Sequence, residues 1–469
     1  MSEAAADTTP GAAVRAAAAW PVLVTVALGA MLAPLNSTMI AVALPQIAAT
    51  FRADAAATGW LVIAYLVAVA GVQPVAGKLG DRFGRRGLIL GGLLGFGLTS
   101  CGAALAPNLP ILILCRTLGA VAGALVFPNG VALLREIVPA AARASRFGLL
   151  GAAVSCAAAG GPPLGGLLVG QAGWRAVFFV NLALAIPALL LGWRALPHGR
   201  PGRARHPFDL VGALALAALL VGAAVLLTRA QDLRRTPFPT ALLLVVALLA
   251  AAVAFIRREL RHPDPVLQPR LFAHRAFAAA NAANALSNLT LYVTLLAVPL
   301  LLTARGGWSS PRIGLVLTAL SVAQVVCAPT GGRLADRFGR RRPAVGGLAL
   351  LALGTVPLAV GGGAIALPAL LGALGLIGVG LGLASAGMQT AAVEAVGAAE
   401  AGVAAGLFAT SRYLGSIVGT SVLGGLLGAG SGFGAVFLLV ALAGCGAALV
   451  SLGLRDWPTA DPHASRRRV

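Results

Sequence analysis

The sequence predicts an all-α membrane protein with fourteen transmembrane helices, in which two six-helix bundles are separated by two further helices. Three observations lead to this prediction. Of the 469 residues, 59% are hydrophobic and 10% are charged, which is more apolar surface than a soluble domain can bury in one core. Fourteen apolar segments are long enough to cross a bilayer. One polar segment of the first half of the chain recurs in the second half, which indicates an internal repeat.

The predicted spans follow from apolar runs of about 20 residues, the length that crosses the hydrocarbon region. They are residues 20–42, 58–77, 88–106, 109–134, 147–170, 174–193, 210–228, 238–256, 276–303, 310–331, 344–361, 366–393, 402–428 and 433–453. The predicted domains are an N-terminal tail (1–19), an N-terminal bundle (20–193), a linker with two extra helices (194–275), a C-terminal bundle (276–453) and a basic C-terminal tail (454–469).

Charge sets the predicted orientation. The chain has 35 Lys and Arg against 14 Asp and Glu, a formal net charge of +21. With the N-terminus inside, most of the basic residues fall in inner loops, so we expect both termini in the cytoplasm of a multi-pass cell-membrane protein. Aromatic residues make up only 5%, which leaves no surface for stacking bases and argues against nucleic acid as a partner.

The repeat joins residues 74–86, PVAGKLGDRFGRR, to residues 329–341, PTGGRLADRFGRR. The two segments are identical at nine of thirteen positions, with an offset of 255 residues. They lie eight helices apart, and because eight is even the two copies have the same orientation in the membrane. The sequence therefore predicts a parallel repeat of two bundles.

These two segments resemble the loop motif of the major facilitator superfamily, and the chain is similar to its fourteen-helix branch of drug:proton antiporters. The resemblance implies the major facilitator fold and gives this loop a gating role. Physically, Gly77 permits a close helix approach and Gly84 a tight turn, while Asp81 can bond Arg side chains. The alternative is an Arg-rich turn that only anchors topology. The gating candidates are Gly77, Asp81, Arg82, Gly84 and Arg85, with Gly332, Asp336, Arg337, Gly339 and Arg340 in the second copy.

Residues 148–166 are similar to the antiporter motif of helix 5 in that family. The residues that fit are Gly148, Gly161, Pro162, Gly165 and Gly166, while Ala157 stands where a glycine is usual. Small residues let helices pack backbone to backbone. Ordinary small-residue packing in a Gly- and Ala-rich chain is the alternative.

Arg116 lies about two turns inside helix 4, where a charge facing lipid costs roughly 2.5–3.5 kcal/mol. It resembles the helix-4 arginine that the family uses in proton exchange, although Gly119 and Ala120 replace the usual glutamine and glycine. The alternative is an arginine that reaches the outer interface. Arg412 is a second charge within a span, in predicted helix 13, and it too either has a partner there or reaches the interface.

Polar side chains within spans are candidates for lining a substrate cavity. In helix 9, Asn281, Asn284, Asn288 and Tyr292 share one face, which predicts either a water-filled cavity or polar packing between helices. The complete candidate set is Asn36, Gln73, Asn129, Asn281, Asn284, Asn288, Tyr292, Gln324, Gln389 and Arg412.

The sequence favours export of small amphipathic compounds, or drug efflux, in exchange for protons by alternating access. Asn36 stands where the family often has an acid, and no span holds an acid or His at its centre, so proton coupling rests on the resemblance alone. The buried charges are cationic, which favours a neutral or anionic substrate. The alternatives are a facilitated or substrate-coupled transporter of an anionic metabolite, and a membrane sensor that does not transport.

No enzyme is expected, because the sequence has no nucleophile with a base and no phosphate-binding loop. The five cysteines lie in apolar runs without a CxxC pair, so no metal site and no cofactor are expected. The expected partners are the substrate, protons and the lipid bilayer, with the protein acting as a monomer.

Overall fold

The computed structural model describes residues 10–138, 140–197, 209–228, 238–262, 265–396 and 400–455. Within these residues the chain forms fourteen long helices. They are α1 (Pro10–Phe51), α2 (Ala55–Phe83), α3 (Arg85–Ala104), α4 (Leu109–Ile137), α5 (Ala140–Ala172), α6 (Ala176–Ala195), α7 (Leu210–Thr228), α8 (Phe238–Arg261), α9 (Arg275–Ala304), α10 (Ser310–Phe338), α11 (Arg341–Gly361), α12 (Leu367–Glu394), α13 (Ala401–Gly428) and α14 (Phe433–Ser451).

The helices confirm a multi-pass membrane protein. Of the fourteen in the described part of the chain, thirteen are long and apolar enough to cross a membrane, and α13 is the exception. Each of the fourteen predicted spans coincides with one helix. The prediction succeeds because about 20 apolar residues in a row can satisfy their backbone in lipid only as a helix.

Several ends differ from the prediction. The first helix runs from Pro10 to Phe51, so part of the expected N-terminal tail is helical and Pro45 does not end the helix. The loop motif is also mostly helical, because α2 continues to Phe83 and only Gly84, with φ +93°, breaks it. In the second copy α10 continues to Phe338, and Gly339 has φ +85°. Both turns need the left-handed conformation that glycine adopts without strain.

Polar side chains define several helix starts. The carboxylate of Asp54 accepts a hydrogen bond from the Ala57 backbone N–H at 2.7 Å, which caps α2. Asn108 caps α4, with Pro110 in the first turn, and Asp209 caps α7 by accepting from the backbone of Gly212 at 2.7 Å. These oxygens satisfy backbone donors that the first helical turn leaves without partners.

The chain divides into two compact units. Unit 1 comprises Met1–Phe255 and Val298–Thr318, and unit 2 comprises Ile256–Ala297 and Ala319–Val469. In unit 1, α1 packs against α4, α5 and α6, and α3 packs against α4 and α6. In unit 2, α11 packs against α12 and α14, which repeats the pairing of α3 eight helices earlier. The division into bundles at residues 193 and 276 stays a prediction.

Candidate functional site

Arg116 lies on α4 inside unit 1 with only 4% of its surface exposed. Its Nε donates a hydrogen bond to the Leu61 carbonyl of α2 at 2.9 Å. Its Nη1 donates to Oδ1 of Asn36 on α1 at 2.6 Å. The guanidinium thus joins three helices and does not reach the outer interface. Both bonds are to neutral oxygens and are charge-assisted, the stronger class of protein hydrogen bond.

Two aromatic rings flank the same guanidinium. The ring of Tyr65 on α2 lies 4.9 Å from its Cζ, and the ring of Phe178 on α6 lies 5.9 Å away. Ring faces attract a cation, most strongly where water is excluded. Tyr65 is one of only three tyrosines in the chain, and that rarity within an apolar span was the available sequence signal for it.

A small cavity adjoins the guanidinium, with a volume of about 10 Å³ and a mixed lining whose polar side chains include Asn36, Thr99 and Ser100. This is space for about one water molecule, whereas pockets that bind drug-sized ligands have volumes of roughly 300–1,000 Å³. Ser100 also accepts a hydrogen bond from the buried Asn181 side chain at 3.2 Å, which extends the polar cluster to α6. The cavity that the described residues form beside Arg116 is therefore much smaller than a drug-binding pocket.

Aromatic side chains enclose the end of unit 1 where α1 stops and α6 begins. The centroid of the Trp174 ring lies 5.6 Å from that of Phe51 and 6.0 Å from that of Phe178. Nε1 of Trp174 donates a hydrogen bond to Thr50 Oγ1 at 3.2 Å, and Trp174 is 2% exposed. Because Phe178 also faces Arg116, the contacts of Trp174 help to fix the surroundings of the guanidinium. Sequence reasoning missed this cluster.

The antiporter motif of α5 lies between α1 and the first turns of α10, all in unit 1. A Cβ built on Gly165 would lie 3.1 Å from the Met39 backbone. A Cβ built on Gly166 would lie 2.8 Å from the Ser310 carbonyl oxygen. At Gly161 the neighbour is the side chain of Thr38. The motif thus permits close approach on two sides, whereas the side-chain surroundings of Gly148 lie outside the described residues.

The two copies of the loop motif make equivalent ion pairs. Arg85 pairs with Glu136 at the end of α4. Arg340 pairs with Glu394 at the end of α12, at 3.1 Å, and with Asp336 at 3.2 Å. The hydrogen bonds from its guanidinium to the Glu394 carboxylate raise the pKa of Arg340. The side chain of Asp81 lies outside the described residues, while Arg82 and Arg337 contact the rings of the phenylalanines that follow them.

The close helix approach in this motif is at Gly80 and not at Gly77, which corrects the expectation from sequence. A Cβ on Gly77 would meet nothing within 4 Å, whereas one on Gly80 would collide with Oδ1 of Asn129. Asn129 is fully buried, and its Nδ2 donates to the Ala76 carbonyl at 2.9 Å and the Leu125 carbonyl at 2.7 Å. Asn129 therefore ties α4 to α2 and does not face a cavity. In the second copy, Gly332 has only a distant neighbour, at 3.9 Å.

In unit 2 the predicted amide face of α9 is buried. Nδ2 of Asn284 donates to the Phe408 carbonyl at 2.8 Å and to Ser411 Oγ at 3.0 Å, both on α13. Asn288 donates to Oδ1 of Asn284 at 3.1 Å, and Asn281 donates to a carbonyl of its own helix. These contacts favour polar packing between α9 and α13 over a cavity lining for the three amides.

The remaining cavity candidates are more accessible. Tyr292, Gln73 and Gln324 are partly buried, and Gln389 is exposed. Arg412 is also exposed, and its Nη2 lies 3.1 Å from the Tyr413 hydroxyl, with its Cζ 5.0 Å from that ring. Among the candidates, the structure brings Asn36 to Arg116 and Asp336 to Arg340, and it joins Asn284 to Asn288 on α9.

A family model matches residues 26–267 and 280–468, and its description is Major Facilitator Superfamily. The chain belongs to this superfamily. It is a transporter and not an enzyme, as the sequence predicted. Members of the superfamily bind small-molecule substrates.

Three relatives of this superfamily member cover most of the chain. It is 34% identical to the tetracenomycin C resistance and export protein of Streptomyces glaucescens, over 87% of this chain and 76% of that protein. It is 31% identical to the multidrug efflux pump LfrA of Mycolicibacterium smegmatis, over 87% of this chain and 80% of that protein. It is 33% identical to the uncharacterized MFS-type transporter YvkA of Bacillus subtilis, over 94% and 97%.

Solved structures share the major facilitator fold. A D-xylose–proton symporter superposes with a TM-score of 0.63 at 16% identity, over 92% of this chain and 96% of that one. A POT family transporter in complex with 5-aminolevulinic acid superposes with a TM-score of 0.66 at 13% identity, over 92% of this chain and 94% of that one. The resemblance to the superfamily and the fold class predicted from sequence are thus confirmed.

Proposed function

We propose that this transporter exports small amphipathic compounds across the cell membrane in exchange for protons, by alternating access and with both termini in the cytoplasm. The observation that carries the proposal is the buried contact between Arg116 and Asn36, which ties α1 to α4 within a transporter fold. Relatives that are named for drug export, at 31–34% identity, support the direction of transport and the substrate class.

The chemistry of the site favours neutral or anionic substrates. A guanidinium fixed within the membrane-spanning part of unit 1 is a positive charge that repels a permanent cation and attracts an anion. The ion pairs Arg85–Glu136 and Arg340–Glu394 lie at helix ends, and we assign them a gating role in which they stabilise one access state.

A second function, facilitated or substrate-coupled transport of an anionic metabolite, is favoured by the positions of the acidic residues. Within the fourteen described helices, Asp81, Glu136, Glu259, Asp336 and Glu394 each lie within three residues of a helix end. No Asp, Glu or His occupies a central turn of these helices. A proton carrier normally uses such a shielded group, and here Asn36 faces Arg116 instead.

Inverted membrane vesicles, energised to be acid inside, distinguish the two functions. The lumenal pH is followed with a dye while neutral, anionic and cationic aromatic compounds are added one at a time. Proton-coupled export predicts alkalinisation with neutral or anionic compounds, and its loss in Arg116→Ala at unchanged membrane abundance. Arg116→Lys keeps the charge without the planar fork and is expected to retain part of the activity. Arg455→Gln, which removes one exposed charge at the end of α14, is the matched control.

Flux of a labelled compound without any pH change would contradict proton coupling and establish the facilitated transporter. Binding of compounds without flux of any of them would contradict both and indicate a membrane sensor.

A further inference from the structure

Arg412 lies near the middle of α13, eleven residues after Ala401 and therefore about 17 Å along the helix at 1.5 Å per residue. Its side chain is exposed. At this depth a charge facing lipid costs roughly 2.5–3.5 kcal/mol. This cost favours water over hydrocarbon as the surroundings of the exposed guanidinium.

The composition of α13 agrees with this placement. Among the fourteen described helices it is the exception in having no window apolar enough for a conventional span. Packing fixes its rotation, since a Cβ on Gly415 would collide with the Ala285 carbonyl and one on Gly419 would lie 2.9 Å from Leu289, both on α9. Gly415 and Gly419 lie three and seven residues after Arg412, so Arg412 projects from the side of α13 that adjoins α9 and is still exposed there.

Two tyrosines accompany this guanidinium. The Tyr413 hydroxyl lies 3.1 Å from Nη2, and the Tyr413 ring lies 5.0 Å from Cζ. Tyr292 lies seven residues after Ala285 on α9, on the face of that helix that packs against α13. The hydrogen bond to Tyr413 involves one of the five N–H donors of an arginine, whose planar fork matches a carboxylate. Aromatic rings beside the fork suit the ring of an amphipathic ligand.

We propose that Arg412, Tyr413 and Tyr292 form a subsite that recognises the carboxylate of aromatic organic acids. This inference rests on the proposed transport function, whose substrate class it narrows. The subsite differs from Arg116, which is 4% exposed beside a cavity of about 10 Å³. The accessible arginine contacts the substrate, and the enclosed one does not in this conformation.

The test is binding of two fluorescent probes of similar shape to the purified full-length protein in lipid nanodiscs. Dansylglycine carries a carboxylate at neutral pH, and its amide is neutral. We expect the anion to bind at least about tenfold more tightly, the energy of one good charge-assisted contact. Arg412→Gln is expected to remove this preference, and Arg412→Lys to retain part of it. Arg455→Gln, which also removes one exposed charge, is expected to keep the full preference.

An unchanged preference in Arg412→Gln would overturn the proposal, as would equal binding of the two probes by the wild type. Loss of the preference in both Arg412→Gln and Arg455→Gln would reduce it to a net-charge effect and overturn it too. Helix content and monodispersity of each variant exclude misfolding as the cause. Because binding needs no gradient, an Arg412-dependent preference without flux would support the subsite and contradict export. Proton-coupled flux without an anion preference would contradict the subsite alone.

Discussion

Substitution of Gly80 by alanine tests the contact that ties α2 to α4. The added methyl group would collide with Oδ1 of Asn129, so the carboxamide has to move. Movement breaks the hydrogen bonds from Nδ2 to the carbonyls of Ala76 and Leu125. Each bond contributes about 0.5–1.5 kcal/mol, and a buried donor left without a partner adds about 1–3 kcal/mol.

Against this loss stands the higher helix propensity of alanine, about 1 kcal/mol better than glycine. We therefore expect Gly80→Ala to lower the free energy of unfolding by about 1–5 kcal/mol. Gly77→Ala is the matched control, three residues earlier on the same helix with nothing within 4 Å of the built Cβ. It is expected to raise the free energy of unfolding by up to about 1 kcal/mol.

The assay is unfolding of the purified protein by increasing sodium dodecyl sulfate in mixed micelles, followed by circular dichroism. A double-mutant cycle with Asn129→Ala isolates the contact. Once the carboxamide is absent, Gly80→Ala should no longer destabilise, so the coupling energy should reach about 2–6 kcal/mol. The reasoning is refuted if Gly80→Ala costs the same in both backgrounds, or if Gly77→Ala is equally harmful.

Three further substitutions have defined outcomes. Gly166→Ala places Cβ 2.8 Å from a backbone oxygen of α10 and should reduce transport in vesicles several-fold. Gly160→Ala is the control, because its Cβ would meet nothing within 4 Å and transport should not change. Equal effects of the two substitutions would contradict the close approach of α5 and α10. Arg340→Gln should destabilise by about 1 kcal/mol, equally at pH 6 and pH 9. Pairing with Glu394 raises the pKa of Arg340, so the contribution of the ion pair to stability is complete at neutral pH and is lost only in strong alkali. A loss of stability in Arg340→Gln that differs between pH 6 and pH 9 would argue against this pair. Trp174→Phe keeps the ring contacts and loses one hydrogen bond, which should lower the free energy of unfolding by about 1 kcal/mol. Trp174→Ala also removes the ring and should lower it by about 3–5 kcal/mol. Similar midpoints of thermal unfolding for the two variants would show that the ring is not needed.

Hydropathy was sufficient to predict the helices, because the requirement to satisfy the backbone in lipid acts on every span alike. It was not sufficient to predict which glycine of the loop motif meets a neighbour. Gly77 and Gly80 are equally small, and only the rotation of α2 relative to α4 decides that Gly80 faces Asn129. Rotation depends on packing that a single sequence does not contain.

The same limit applies to the polar residues. The sequence indicated that Arg116 needs support, and the structure supplies Asn36, Leu61 and two rings from three other helices. The glutamate partners of the loop motif had a sequence signal that went unused. Glu136 and Glu394 are 258 residues apart, close to the 255-residue offset of the repeat, so the repeat itself indicated the pairing.

The inserted helix α8 has a consequence for how its sequence can evolve. Only 6% of its apolar window is buried within the chain, against 72% for α9. Lipid, unlike a packed neighbour, does not discriminate between leucine, valine and phenylalanine of similar hydropathy. Selection on α8 therefore acts on length and mean hydropathy, so its residues are free to drift among apolar types, while most residues in the α9 window are constrained by packing within the chain.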